Sequence, residues 1–268
     1  MKAFKTMLVV GLVFAVALSM ALTVNGCKEK ATDPPKIVPI TEDVFPLTVG
    51  RKITYSGTLR QDTTDVEMTL PPGVYIAKWT ILTNAQPDPF GGAAATVIND
   101  STQVPTGVAT PPTIWRVSSL LIRRASPTGT SNIEFMNDIA LFYRTFGIAL
   151  TRDTLRWMTI AKLDAGVGNE FTAFDQTFTG ATGPVRLLVW GKFSAKAPLT
   201  VGGTTFNPYK LELGRRIYLG TSTEPATQGP TATFWLEPNV GPVKMILNAG
   251  AAKGYFGHTR NFSAKNFP

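Results

Sequence analysis

His258 is the only histidine in a chain of 268 residues, so any Ser, His, Asp relay would have to use it. It sits among Gly254, Gly257 and Arg260 near the C-terminus, without a Gly-x-Ser-x-Gly elbow, and reads as an exposed terminal residue. A zinc site needs several His or Cys ligands, and the chain offers one of each. Two carboxylate pairs, Asp62 with Asp65 and Asp164 with Glu170, are spaced closely enough for glycosidase-type acid and base work. Both fall at turn-like sequence, where acidic residues are ordinarily solvated. No acidic loop ends in the glutamate that calcium binding requires. The glycines at 91 and 92 lack the lysine and the following helix of a phosphate-binding loop, and Pro87 and Pro89 precede them. These residues predict no catalytic site, no metal and no cofactor.

The aromatic residues carry more information. Trp79, Trp115, Trp157, Trp190 and Trp235 all fall in β-prone runs. On a curved sheet they would either fill the core or line an apolar ligand cavity, and the sequence leaves both open. The runs themselves are rich in Val, Ile, Thr, Phe, Tyr and Trp and are separated by Gly, Pro, Asn and Asp, the pattern of antiparallel strands. They predict strands over 52–60, 74–83, 113–125, 153–163, 170–179, 185–195, 205–221, 232–237 and 242–247, with a bend at Gly214. Residues 132–150 also fit helical spacing and allow one short helix. Residues 84–112, rich in Gly, Ala, Pro and Thr, read as one long mobile loop. The predicted fold class is all-β, a single antiparallel, strongly curved sheet or half-barrel.

The N-terminus has Lys2 and Lys5, then an apolar run from Met7 to Leu22, the layout of a secretory signal. That run is about 16 residues, shorter than the roughly 20 of a membrane-spanning helix. Val24, Asn25, Gly26 and Cys27 resemble a lipobox, in which the cysteine is acylated and the signal is cut before it; Leu is usual where Val24 stands. Ordinary cleavage after Ser19, Met20 and Ala21 is the alternative. Residues 1–26 are thus expected as the signal. Residues 27–44 follow as the lipidated cysteine and a polar tether broken by Pro34, Pro35 and Pro39, reaching about 50 Å. Residues 45–268 form one β domain. Lys28, Glu29 and Lys30 would serve either as a surface-sorting signal or as a soluble start to the tether.

With only Cys27 the domain holds no internal disulfide, so a packed core must stabilise it. Loss of residues 1–26 removes two lysines and no acid, and the net charge falls from +8 to +6. The doublets Arg123–Arg124 and Arg215–Arg216 are isolated and suit solvated strand faces, and nothing points to nucleic acid. A short pattern recurs: Val49, Gly50, two polar residues, Ile53, Thr54 returns as Val167, Gly168, two polar residues, Phe171, Thr172. Each suits a glycine turn ahead of a strand that opens on a core residue.

The opening Phe45, Pro46, Leu47, Val49, Gly50 and Tyr55 resembles that of a family of uncharacterised Gram-negative envelope lipoproteins, which usually carry Trp where Ile53 stands. Val167 to Phe171 resembles their second Val-Gly segment, and Gly203 to Phe206 with Tyr209 and Lys210 their Gly-Thr-Phe strand. Phe234, Trp235 and Leu236 followed by Val240, Gly241, Pro242, Val243 and Lys244 resembles their closing Val-Gly-x-Val-Lys turn. Residues 58–163 are largely unmatched. The resemblance implies a lipid-anchored, strongly curved sheet, similar to the half-barrels that carry lipids or lipoproteins across the periplasm, and no catalytic residue. It places the chain in the bacterial cell envelope, on the outer membrane, facing the periplasm or the cell surface. The expected activity is non-enzymatic: binding of an apolar or amphipathic ligand or, alternatively, display of a sheet and loops to an envelope protein. The second reading makes the long loop and residues 221–231 the contacting parts.

Overall fold

The computed structural model describes residues 37–61, 64–69, 73–105, 113–125, 132–140, 143, 147–149, 154–248 and 257–267. The fifteen strands are β1 (Lys52–Arg60), β2 (Glu67–Met68), β3 (Val74–Gln86), β4 (Ala95–Pro105), β5 (Thr113–Ala125), β6 (Asn132–Asp138), β7 (Leu155–Ala161), β8 (Glu170–Gly180), β9 (Gly183–Ser194), β10 (Leu199–Val201), β11 (Thr204–Phe206), β12 (Tyr209–Leu219), β13 (Thr227–Glu237), β14 (Gly241–Leu247) and β15 (Gly257–Lys265). Twelve of them form one ladder in the order β7-β6-β5-β4-β3-β1-β15-β14-β13-β12-β9-β8, with β2 paired to the end of β1 and β10–β11 a separate hairpin. All pairings within the ladder are antiparallel.

The order describes two meanders of six strands. One runs from β1 to β7 and the other from β8 to β15, and the last strand returns to pair with the first, Gly57 opposite Arg260 and Tyr55 opposite Phe262. Residues from both meanders share one core, among them Tyr55, Trp79 and Ile133 from the first and Phe171, Phe193 and Leu211 from the second. The sheet therefore curls nearly into a barrel, with a seam between β7 and β8 where no ladder forms. A second apolar cluster spans the seam, with Ile139, Tyr143, Ile148 and Met158 packed on Phe178, Val185, Leu187 and Ile217.

Alternation sets which face each strand buries. On β13, Ala232, Phe234 and Leu236 are buried while Thr233, Trp235 and Glu237 between them are half-exposed. Strong curvature brings aromatic rings down onto neighbouring strands, and glycine is what admits them. A Cβ at Gly57, Gly191 or Gly214 would come within 2.3 Å of the rings of Tyr75, Phe171 and Trp190 respectively. The recurring Val-Gly pattern is a real structural repeat. Gly50 and Gly168 have φ of 87° and 88°, their valines are exposed, and Ile53 and Phe171 both enter the core.

Several expectations are corrected. The loop expected over 84–112 is the hairpin of β3 and β4, whose connection is only residues 87–94; residues 106–112 lie outside the described set. The first seven residues of the stretch allowed a helix are strand β6; half of the remainder lies outside the described residues, and within the rest Ala140 and Tyr143 are helical, the Tyr143 amide donating to the Ile139 carbonyl at 3.2 Å. The run over 205–221 is broken at Asn207 and Pro208 into β11 and β12. Strands β2, β4, β6, β10 and β15 were not anticipated. The compact β unit starts at Ile37, not at residue 45, because Ile40 and Val44 are core residues and the Ile40 amide donates to the Leu163 carbonyl at 2.9 Å.

Gly191→Ala is expected to destabilise the fold by about 1–3 kcal/mol, since Phe171 is locked in the core and cannot yield to the new methyl group. Gly229→Ala, where nothing lies within 4 Å of the added Cβ, should stay within about 0.5 kcal/mol of the parent. Urea unfolding of both variants checks this, and equal midpoints would refute the ring-over-glycine account.

Candidate functional site

The meander gives the barrel two ends. β1, β8, β12 and β14 start at one, where residues 37–50 cross the interior. The Phe45 ring meets Phe135 edge-on at 5.5 Å and lies 6.4 Å from Trp79, which in turn contacts Tyr55 at 5.8 Å. The β10–β11 hairpin adds Phe206, 5.0 Å from Phe262. Polar anchors fix the crossing segment. Arg124 donates to Asp43 at 2.5 Å and to the Phe45 carbonyl at 2.8 Å. Lys196 and the Tyr209 hydroxyl donate to Glu42 at 2.5 and 2.6 Å. Those two bonds, Lys196 first, hold the Glu42 carboxyl below its usual range, while burial and then Glu42 push Tyr209 up to about 12. The space left among Phe45, Ile53, Trp79, Ile98 and Pro242 is about 20 Å³, room for about one water. The Trp79 Nε1–H is buried and has no partner among the described residues.

Towards the opposite end the interior turns polar. Tyr75 on β3, Asp100 on β4, and His258 and Arg260 on β15 all face inward. Arg260 donates through Nη1 to Asp100 Oδ2 at 2.8 Å and through Nε to the Tyr75 hydroxyl at 3.2 Å. That hydroxyl lies 3.1 Å from His258 Nδ1. A guanidinium only donates, so the Tyr75 oxygen accepts from Arg260 and its own proton goes to His258 Nδ1. The assignment leaves the imidazole proton on Nε2. Burial, and then the nearby Arg260 charge, lower His258 to about 4. Burial raises Tyr75 as well. Burial also works against the Arg260 charge, but Tyr75 and Asp100 outweigh it and its pKa is raised. Asp100 Oδ1 is buried without a partner among the described residues. Ser118, opposite Asp100, and Leu247, opposite His258, are exposed, so the concave wall opens to solvent here.

The cluster ties four adjacent strands together, because Gly57 lets the Tyr75 ring lie across β1 and reach β15. It is an ion pair with a neutral histidine at its edge. The hydroxyl bonded to His258 is the Tyr75 phenol, and no serine, threonine or cysteine side chain is hydrogen-bonded to it among the described residues, nor does any group of three or more His, Cys, Asp and Glu side chains there gather to hold a metal. His258 is corrected from an exposed terminal residue to a mostly buried member of a central strand.

The four tryptophans whose side chains are described do not converge. Among them Trp79 alone is placed in the core; Trp157, Trp190 and Trp235 lie on the outer face, each beneath a cation, Arg123 at 4.3 Å, Arg216 at 5.4 Å and Lys244 at 5.0 Å. Trp115 belongs to β5, and its side chain lies outside the described set, as do Cys27 and Asp62. Asp65 pairs with Arg60 at 2.8 Å and Glu170 with Arg216 at 2.7 Å, so neither expected carboxylate pair is a free acid and base.

A buried carboxylate that sequence reading passed over organises the outer face. The Asp88 side chain is fully buried in the β3–β4 connection. It accepts from the Phe90 amide at 2.9 Å, from Trp157 Nε1 at 3.1 and 3.2 Å, and from Arg123, which also binds Glu134 at 2.6 Å. Burial would raise its pKa, yet the Phe90 amide, Trp157 and Arg123 together bring it below the usual range. The clamp holds the connection against the wall and leaves the Phe90 ring 47% exposed. Elsewhere the outer wall carries ion pairs such as Arg186–Asp175 at 2.6 Å, unlike the apolar band of a membrane-embedded barrel.

The fold and site define an all-β protein whose meander closes nearly into a barrel, with an interior packed at the tether end and polar and open to solvent towards the other among the described residues. No family model matches the chain, and no curated protein does. Two solved structures resemble it. One is a Bacteroides fragilis protein described as exported and as having a YmcC-like fold, at 14% identity and a TM-score of 0.42. The other is a Parabacteroides distasonis protein described as a lipoprotein, at 11% identity and a TM-score of 0.41. Each comparison covers 83% of this chain and 98% of the other.

Because His258 titrates near 4 in the folded chain against 6.5 unfolded, the unfolded chain alone takes up a proton between those values. Stability is therefore fully present above about pH 6.5 and is lost as pH falls towards 4, by about 2–3 kcal/mol from this group. His258→Gln should remove that part of the slope. Urea unfolding of both proteins at pH 7 and 4.5 reads it, and identical losses would show that His258 is not held neutral.

Proposed function

We propose that this protein is an exported, lipid-anchored envelope protein of non-enzymatic type that displays its barrel wall and loops to an envelope partner. Support for the location comes from Lys2 and Lys5 ahead of the apolar run and from the lipobox-like Val24, Asn25, Gly26 and Cys27, which together place an acylated cysteine ahead of the folded domain. The resemblance to Gram-negative lipoproteins favours the outer membrane.

The observation that carries the reading of the domain is the packed tether end of the interior. Sequestration of an acyl chain needs a chamber of roughly 300 Å³ or more, whereas Phe45 and the groups around it leave about 20 Å³. At this end the competing carrier reading requires residues 37–50 to leave the barrel. A rigid contact surface is what the outer face offers. The Asp88 clamp fixes the β3–β4 connection and presents an exposed Phe90 at low entropic cost, the profile of an aromatic anchor at a protein interface.

Native mass spectrometry with lipid extraction, on a soluble form starting at Lys28, is expected to find no apolar molecule at stoichiometric level. A stoichiometric lipid in repeated preparations would overturn the display reading in favour of a carrier. The intact mass of the full protein from membranes should show acyl chains on Cys27 that are absent from Cys27→Ser.

A further inference from the structure

The structure fixes where the tether joins the domain, and that joint selects a face. Residues 37–50 are docked, and the chain from Cys27 to Ile37 is ten steps, which can span at most about 35 Å. This is shorter than the roughly 50 Å that a tether running through residue 44 would reach. Ile37 and Val38 lie against Gly166, at the end of the barrel where β8 begins; a Cβ there would sit 2.5 Å from the Val38 carbonyl oxygen. The strands leading from this end to the other contain 11 to 13 residues, so the far rim lies up to about 35–40 Å further away.

The near rim suits a lipid surface in its chemistry as well. Val49 and Val167, the exposed valines of the repeated Val-Gly turns, project from it at the starts of the two meanders, 52% and 40% exposed, and Val38 is 70% exposed beside the tether. Lys52 begins β1, Lys162 follows β7 and Lys265 ends β15. None of the three is ion-paired with a carboxylate among the described residues. The acids nearby are mostly engaged: Glu42 with Lys196, Asp43 with Arg124, Glu170 with Arg216, and Glu237 with the Asn207 amide. Asp164 is half-buried. The rim thus presents unneutralised cations interspersed with small apolar side chains.

We propose that this rim is the membrane-facing surface of the domain, with Lys52, Lys162 and Lys265 lying on anionic headgroups and Val49 and Val167 reaching the interface, while the polar opening beside His258 and Arg260 points away from the bilayer. The proposal rests on acylation of Cys27. Each lysine held near an anionic surface adds to the attraction, and the short tether keeps the rim within reach.

The test uses the full lipidated protein in vesicles of phosphatidylethanolamine and phosphatidylglycerol that contain a lipid-borne quencher. Val49→Cys, Val167→Cys and Thr223→Cys, all at exposed positions, each carry an environment-sensitive fluorophore. Labels at 49 and 167 should be quenched about threefold more than the label at 223, and replacing the three lysines by Glu should shrink that contrast. Equal quenching at all three positions, or the strongest at 223, overturns the proposal. Flotation separates the two layers of the argument. If wild type fails to float, or Cys27→Ser floats equally well, the anchor reading falls and the membrane face with it. If flotation depends on Cys27 while quenching is uniform, the membrane face alone falls.

Discussion

The pairing of the last strand with the first is the constraint on which the rest of the structure depends. Without β15 against β1 there would be two separate meanders, each with an uncovered apolar face and an extra unpaired edge. Gly57 sits at the centre of this joint. Its missing side chain lets Tyr75 lie flat over β1 and meet Arg260 and His258 on the far side, and Arg260 continues to Asp100 on β4. A buried ion pair of this kind is weak support for stability by itself, because desolvation offsets most of its attraction. Its effect here is on geometry, since any register slip of β15 would strand Arg260 and Asp100 without each other.

The interior is divided between two ways of filling a wide barrel. At the tether end the chain supplies a segment that belongs to no strand, and Ile40, Val44 and Phe45 occupy space that twelve strands alone would leave empty. At the other end the wall carries hydrogen-bonded charge and opens to solvent, while Ile139, Tyr143 and Ile148 pack across the seam. The same chain thus solves a packing problem with aromatic rings and a curvature problem with glycines. The Asp88 clamp repeats the logic outside, burying one carboxylate to fix one connection.

How much was legible follows from how each strand buries its residues. β1, β5, β8, β9 and β14 show alternating or continuous runs of large apolar side chains and were readable with boundaries close to those found. β4 and β15 were missed because their inward positions include Asp100, Thr102, His258 and Arg260. The charges that form the candidate site erase the hydrophobic alternation by which a strand is recognised. Site and strands were therefore invisible for one reason. Trp235 is a different case: its place between Phe234 and Leu236 already assigned it to the opposite face, and only the identity of the covered face was undetermined.

By itself the sequence determined what short-range chemistry determines: an all-β domain without disulfides, the turns at Gly50 and Gly168, and the core residues that follow them. Those depend on side-chain size, on φ at single glycines and on alternation over a few residues. Only the tertiary structure decided that the last strand lies beside the first, that residues 37–45 belong to the core, that most of the described tryptophans face outward, and that His258, Arg260, Tyr75 and Asp100 meet. These depend on contacts between distant positions, as far apart as Ile53 and Lys265, and no local pattern encodes the partner of a residue whose interaction is made only when the sheet closes.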